Sequence, residues 1–334
     1  MGDKTVNILF ISAGRRVELI RLFKKAYIDL KLDGKIVATD IDPLAPSLRE
    51  IDGFYIVPRT SEDGFIPAIA EICQREKINL VFPLIDPDIP VLAHNRSVIE
   101  NSETKLVVIP EEFVNITADK WQTYEFLKKI DIPTPYSWLP EDNDSSDFIF
   151  PVFIKPRFGS AAKFTFKVNN ERKLRFFCEY VPDPIIQEYL PGPEVTSDVI
   201  CDFEGNALAV VSRQRIEVRW GEVVKGKTIY HDGITSYCIK IAKALKAIGP
   251  ITVQCFLKDN EPVFSEINPR YGGGVPLGIA AGVPSPCWFL SLAAGRKVES
   301  PPLGSYKTGL HITRFDDSFF LSEEDLSDVA SRSI

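Results

Sequence analysis

An α/β domain followed by an α+β region is the fold class this sequence predicts, on three observations. Within residues 1–115, short β-like runs alternate with helical stretches, the pattern of βαβ units on a parallel sheet. From residue 148 onward strand-like runs follow one another with one helical stretch among them, which points to an α+β portion distinct from the first domain. Between the two lies a helical stretch broken by Ile132-Pro133-Thr134-Pro135, where proline removes the N–H a helix needs.

In the first region the β-like runs are residues 7–11, 36–39 and 80–84, and the helical ones 17–30 and 65–76. Functional groups on parallel sheets gather where strands end. Ser12-Ala13-Gly14-Arg15-Arg16 follows the first run, Asp40 and Asp42 the second, and Asp86 and Asp88 the third. Thr117-Ala118-Asp119-Lys120 reads as a helix start, with Thr or Asp capping residues 121–130. Residues 141–147 are acidic and free of large apolar groups, and so predict a solvated loop. Strand-like runs then cover 148–155, 164–168, 185–189, 195–201, 207–213, 252–257 and 262–267, with a helix over 233–248. The tail 316–334 is acidic and Ser-rich, hence peripheral, and no internal repeat is visible. These breaks divide the chain into 1–115, 116–184, 185–315 and 316–334.

Composition narrows the function. The 334 residues are 45% apolar and 25% charged, the balance of an ordinary globular protein with room for two or three domains. A net charge of -7 drawn from interspersed acids and bases gives no nucleic-acid footprint. The cysteines, at 73, 178, 201, 238, 255 and 287, form no CxxC pair and read as small buried hydrophobes. The first apolar run, residues 6–11, is too short for a signal segment, and no run approaches the roughly 20 apolar residues that span a bilayer. A cytoplasmic protein without a membrane role is the expectation.

The densest chemical signal is Phe264-Ser265-Glu266-Ile267-Asn268-Pro269-Arg270, preceded by Gln254 on an earlier strand-like run. On a strand, Glu266 and Asn268 share a face because side chains alternate with period two. A carboxylate and an amide oxygen are hard ligands suited to Mg²⁺ that also holds phosphate oxygens, and Gln254 supplies a third oxygen. Arg270 then faces the same phosphates. The bland reading, a solvated strand face before an Asn-Pro turn, is weakened by Tyr271-Gly272-Gly273-Gly274, since three glycines let backbone approach an anion closely. A second signal is Lys155 at the end of an apolar run, before Gly159-Ser160-Ala161-Ala162-Lys163; an edge lysine before an ordinary loop is its plain alternative. A third is Gln187-Glu188-Tyr189-Leu190 before Pro191-Gly192-Pro193-Glu194, a linker whose backbone suits an adenine edge, or simply a strand and turn.

Taken in this order, the segments resemble the ATP-grasp superfamily, and within it the branch of the carbamoyl-phosphate-synthase large subunit. The resemblance runs over residues 6–315 and rests chiefly on Gln254 with Glu266-x-Asn268-Pro269-Arg270, supported by Lys155-Pro156 and Glu188 to Glu194. It implies a Rossmann-like N-terminal domain followed by a two-lobed ATP-grasp fold, with residues 116–184 as the small lobe and 185–315 as the large one. It implies ATP with Mg²⁺, or Mn²⁺ in its place, and an acyl phosphate formed from a small carboxylate and passed to an amine or ammonia. By the same resemblance, Lys120 and Lys155 contact the nucleotide, as do Gly159, Ser160 and Lys163 of the cover loop. Gln187, Glu188, Tyr189 and Leu190 form the hinge over adenine, with Glu188 and Glu194 as candidates for ribose and lobe contacts. Gln254, Glu266 and Asn268 are the metal ligands, and Arg270 binds phosphate. The cover loop departs from the family pattern in having Gly159 alone, with Ala161 and Ala162 where relatives carry further glycines.

Arg213, Arg215, Glu217 and Arg219 alternate, so a regular strand places all of them on one face. Arg213 and Arg215 are therefore candidates for a reacting carboxylate or phosphate, against the alternative of a solvated charged face. Lys225-Gly226-Lys227 and His231 are assigned to a mobile loop. Two other readings compete with a free-standing ligase. One is a carbamoyl-phosphate-synthase-like subunit acting on bicarbonate or carbamate with a glutaminase partner. The other is an ATP-binding module without turnover. A homodimer is the family expectation. An NAD enzyme is disfavoured because the first turn has one glycine followed by Arg15-Arg16 rather than GxGxxG.

Overall fold

The computed structural model describes residues 5–142, 148–159, 163–219 and 221–330. Its first domain holds β1 (Ile8–Ile11), α1 (Val17–Leu30), β2 (Ile36–Asp40), β3 (Gly53–Ile56), α2 (Phe65–Arg75), β4 (Leu80–Pro83), α3 (Asp88–His94), α4 (Arg96–Ile99) and β5 (Lys105–Leu106). These strands form a parallel sheet in the order β3-β2-β1-β4-β5. Every residue of β1, β2 and β4 is buried, which is why those runs are almost continuously apolar. The carboxyl ends of β1 and β4 lie side by side at the centre and carry Arg16 and Asp86 just beyond them.

Next come α5 (Glu111–Ala118), α6 (Lys120–Lys129), β6 (Ser137–Trp138), β7 (Val152–Pro156), β8 (Phe166–Val168), α7 (Glu171–Tyr180) and β9 (Pro184–Glu188). Asp119 caps α6 by accepting from Trp121 N at 2.9 Å, the capping expected from sequence. The strands make a sheet ordered β6-β9-β7-β8, and Leu174 of α7 packs with Val152, Ile154, Val168 and Ile186 of it. Strand β9 is thus hydrogen-bonded into the small sheet, so the change of sheet falls after Glu188 and not before Ile185.

The large sheet is built from β10 (Glu194–Cys201), β11 (Ala207–Arg219), β12 (Glu222–Ile229), β13 (Gly249–Lys258) and β14 (Glu261–Asn268), with α8 (Asp232–Ala244) between β12 and β13. After β14 follow α9 (Val275–Ala280), α10 (Ser285–Ala293), β15 (His311–Thr313) and α11 (Glu323–Ala330). The order is β14-β13-β10-β11-β12-β15. Ile234, Cys238 and Ile241 of α8 share one core with Val195, Val199, Val253 and Cys255, so α8 covers that face, while the other carries polar side chains beside Ile200, Ala209 and Val211, which join the core of the first domain.

Two expectations fail here. Lys225, Gly226 and Lys227 lie within β12, paired to β11 and β15, and His231 is the N-cap of α8, accepting from Ile234 N at 3.3 Å. A Cβ on Gly226 would sit 3.0 Å from Gln214 O across the ladder, so the glycine serves close strand approach and not a loop. The face shared by Arg213, Arg215, Glu217 and Arg219 is broken by register shifts after Arg215 and after Glu217. Arg219 turns to Glu217 on the surface, away from Arg213.

The parts are joined by an aromatic core. Tyr271, wholly buried just after β14, meets Phe82 of β4 at 5.8 Å and Phe23 of α1 at 6.1 Å between ring centroids. Phe289 of α10 meets Phe82 at 5.4 Å. These contacts fix the strand end carrying Arg270 against the strand end carrying Asp86. All six cysteines are free, and no helix among the described residues is long and apolar enough to cross a membrane.

Candidate active site

The polar face of the large sheet is laid out by its register. Arg213, Thr196, Gln254 and Glu266 are direct neighbours across β11, β10, β13 and β14, and Asp198, Thr252 and Asn268 form the next row. Directly opposed side chains on a sheet approach to about 5 Å, so Gln254, Glu266 and Asn268 converge as the two-residue spacing predicted. None of these three side chains hydrogen-bonds to another described residue. One carboxylate and two amide oxygens, uncommitted and adjacent, are what a hard divalent cation needs when phosphate oxygens and water complete its shell. Among the described residues there is no group of three His, Cys, Asp or Glu able to hold a metal by themselves.

Glu266 also faces the two predicted lysines. Burial pushes the Lys155 ammonium down to about 8, with Glu266 the leading opposing charge. Burial lowers Lys120 as well, again opposed first by Glu266 and then by Asp86 and Asp119. Lys120 Nζ donates to Gly159 O at 2.8 Å and to Arg157 O at 3.3 Å, tying the first turn of α6 to the loop after β7. Arg157 in turn donates to Asp119 at the cap of that helix. Charge, loop and helix start are thereby assembled on one side of the carboxylate.

On the other side opens a pocket of about 210 Å³ where the first domain meets the large sheet. Its charged lining is Arg16, Asp86, Arg213, Arg215, Glu222 and Arg270, and Gln254 and Asn268 form part of its wall. The arginines are held by acids: Arg213 by Asp198, Arg215 by Glu194 and Arg270 by Asp86. Burial pushes Arg16 down to about 10; Glu222 works against that shift, and the nearby cations Arg270 and Arg314 add to it. Burial opposes the charge on Glu222, yet Arg16 and Arg314 outweigh it and hold the carboxyl below the ordinary range. The pocket is densely charged, with Arg16 facing Glu222 and each of the other arginines held by its own acid.

The glycine run has a concrete reason. A Cβ on Gly273 would lie 2.6 Å from Arg16 Nη1, one on Gly274 2.1 Å from Arg213 Nη1, and one on Gly272 2.9 Å from Thr252 Oγ1. Glycine lets the guanidinium groups lie directly on the backbone here.

Other predicted residues are placed differently. Gln187 is buried and donates to Ser137 Oγ at 2.8 Å, so its side chain belongs to the small sheet. Glu188 pairs with Lys258, and Glu194 with Arg215. Tyr189 lies under Lys167 Nζ at 3.8 Å, and Leu190 is buried. Lys163 is exposed and Gly159 adopts φ +91° with open space around it. Ser160 lies outside the described residues. Sequence reasoning passed over Thr196 and Asp198, which the alternation Glu194-x-Thr196-x-Asp198 would have shown. It also passed over Glu222 and Arg314, for which no local signal exists.

Residues 117–274 match the ATP-grasp domain family. The chain carries an ATP-grasp domain. Residues 8–107 of the chain match the PylC-like N-terminal domain family. A carbamoyl phosphate synthase large chain from Thermoanaerobacter sp. is 25% identical over 279 residues, 78% of this chain and 25% of that protein. The chain thus spans about a quarter of the length of that curated relative. Biotin carboxylase from Campylobacter jejuni, in its β-γ-ATP complex, superposes with a TM-score of 0.71 at 17% identity, covering 91% of this chain and 74% of the other. N5-carboxyaminoimidazole synthetase from Staphylococcus aureus, complexed with ADP, gives 0.69 at 17% identity, covering 91% and 80%. At such identities these structures speak to the ATP-grasp fold.

Proposed function

We propose that this chain is a ligase that joins a small carboxylate to an amine or ammonia at the expense of ATP. Lys120, Lys155 and the hinge of residues 187–190 bind the nucleotide between the two lobes. Gln254, Glu266 and Asn268 fit magnesium, which supplies charge neutralisation at the phosphates when bound. The carboxylate is seated by the arginine pocket. One of its oxygens attacks the γ-phosphorus, the bond to the β–γ bridging oxygen breaks, and ADP leaves. The amine then forms the C–N bond at the acyl carbon and phosphate departs with the C–O electron pair, the amine proton passing to solvent. Arg270, at the end of β14 beside Asn268, stabilises the charge on the transferring group, and Arg213 and Arg215 hold the acceptor.

The observation that carries this reading is the position of Glu266, which is flanked by two unpaired amide oxygens and is the chief charge opposite buried Lys155 and half-buried Lys120. ADP release with pooled small carboxylates and amines is the test. Glu266→Gln should lower it by about 100-fold or more, since a charge-bearing ligand to the phosphate ion is removed. Turnover equal to the parent refutes the metal assignment. ATP binding without ADP release under any substrate pair marks a silent ATP-binding module instead.

A second reading is supported by the carbamoyl phosphate synthase relative: a subunit that phosphorylates bicarbonate or carbamate beside a partner chain supplying ammonia. Bicarbonate-dependent ADP release, raised by a co-purifying glutaminase, would favour it over the free-standing ligase.

A further inference from the structure

The small lobe carries an exposed aromatic patch on α7 and the run into β8. Tyr180, at the end of α7, stacks on Phe176 of the same helix with ring centroids 5.8 Å apart, and meets Phe164 edge-on at 5.9 Å. Phe164, Phe176 and Tyr180 are 46%, 59% and 52% exposed. The less exposed Phe166 and Phe177 stack on each other at 4.2 Å and touch these rings, so the patch is backed by a fixed layer. A contiguous group of exposed rings marks a contact surface.

The same surface is basic. Residues 163–175 hold Lys163, Lys167, Arg172, Lys173 and Arg175 against the single acid Glu171, in a chain of net charge -7. Glu171 pairs with Arg175, so Arg172 and Lys173, both exposed, keep their charge without an ion partner among the described residues. The complement of such a surface is an acidic segment with aromatic side chains to spare.

This chain contains one. Residues 315–325 hold Asp316, Asp317, Glu323, Glu324 and Asp325 and no Lys or Arg, and Phe315 and Phe320 are 85% and 95% exposed. The segment lies along its own first domain, where Asp316 approaches Arg15 at 3.9 Å and Asp317 approaches Arg21 of α1 at 3.7 Å. In that position its rings meet water, whereas on the small lobe of a second copy they meet other rings.

We propose that two copies of this chain associate by reciprocal exchange, the 315–325 segment of each seated on the α7 patch of the other. Reciprocal seating is a two-fold contact, so it is made twice and stops at two chains. The exposed rings of both contacts together cover on the order of 1,000 Å². That is the lower limit for a specific association, so the dimer is reversible and forms with rising concentration.

The test is sedimentation of the full chain from about 1 to 300 µM, with thermal unfolding as the check that each variant is folded. The parent should pass from monomer to dimer over this range. Arg172→Glu with Lys173→Glu turns the patch against the tail and places acids where a helix start favours them. Glu323→Lys with Glu324→Lys turns the tail against the patch. Each of these variants alone should dimerise about tenfold more weakly or worse, because like charges then face each other. Mixed in equal amounts they should form a heterodimer as tight as the parent dimer, since one contact is then the native pair and the other the same pair reversed. Phe176→Ser with Tyr180→Ser should abolish the dimer. A parent that stays monomeric throughout, single-side variants that dimerise like the parent, or a mixture that forms no heterodimer overturns the proposal. A dimer indifferent to all of these changes overturns it too, and places the contact on another face.

Discussion

Asp198 grips Arg213 with both carboxylate oxygens, accepting from Nε at 2.7 Å and from Nη2 at 2.8 Å, at a position where both side chains are almost wholly buried. This two-point pairing leaves Nη1 against Gly274 at the pocket wall. A planar fork held at two points has one orientation, so Asp198 decides where the free edge of Arg213 points.

Removing either constraint should be costly in a distinguishable way. Asp198→Asn leaves a buried guanidinium without its counter-charge and should destabilise the protein by about 3–5 kcal/mol. Gly274→Ala puts a methyl 2.1 Å from Nη1 and should cost about 1–3 kcal/mol by overpacking. Urea unfolding measures both. An Asp198→Asn protein as stable as the parent would show that the pair contributes nothing to folding.

Glu266→Gln should uncouple nucleotide from metal. ATP affinity in the parent should rise with Mg²⁺ concentration, and in the variant that rise should shrink by about 10-fold or more, because an amide is a much weaker partner for a hard cation than a carboxylate. Titration of ATP binding at several Mg²⁺ concentrations reads this directly. An unchanged Mg²⁺ dependence would move the metal away from Glu266.

The lowered Lys155 ammonium gives two pH trends of opposite sign. A buried cation with a folded value of about 8 against an ordinary 10.5 is a penalty on the folded state wherever it is charged. Between pH 8 and 10.5 the unfolded chain holds a proton that the folded chain has lost, so stability from this group rises with pH and is lost again as pH falls through 8. Phosphate binding needs the charged form, so ATP affinity should fall above pH 8, by at most about tenfold per pH unit. Lys155→Met should flatten the affinity profile; a profile as steep as the parent's would assign it to another group.

Arg314 should matter to the pocket although it lies far along the chain. It donates to Gly273 O at 2.7 Å, pairs with Glu222 at 3.1 Å and approaches Glu18 of α1 at 3.7 Å. Arg314→Ala should release the glycine run and weaken carboxylate binding by about 10-fold while leaving Mg-ATP affinity near the parent value, since no nucleotide candidate touches it. Equal loss of both would mean that the whole large lobe had loosened.

What the sequence disclosed and what it hid follow from distance along the chain. The shared face of Glu266, Asn268 and Gln254 is legible because a strand alternates and the first two are two residues apart. Lys155 was legible as a charge ending an apolar run, and Asp119 as a cap. Strands β3, β5 and β15 were not, because edge strands of a few half-exposed residues carry no periodic signal. Lys225, Gly226 and Lys227 read as a loop because a glycine between lysines resembles a breaker, whereas β12 holds them between β11 and β15. The meeting of Tyr271 with Phe82, and of Arg270 with Asp86, joins residues almost two hundred positions apart and has no local trace.

Strand β15 pairs with β12, and Arg314 just beyond it tethers Gly273 of the pocket lining from the far end of the chain. Residues 1–300 contain every metal and nucleotide candidate, yet without Arg314 the carbonyl of Gly273 lacks its hydrogen bond. A chain shortened before residue 311 would keep the candidate ligands and lose the hydrogen bond that holds the glycine run.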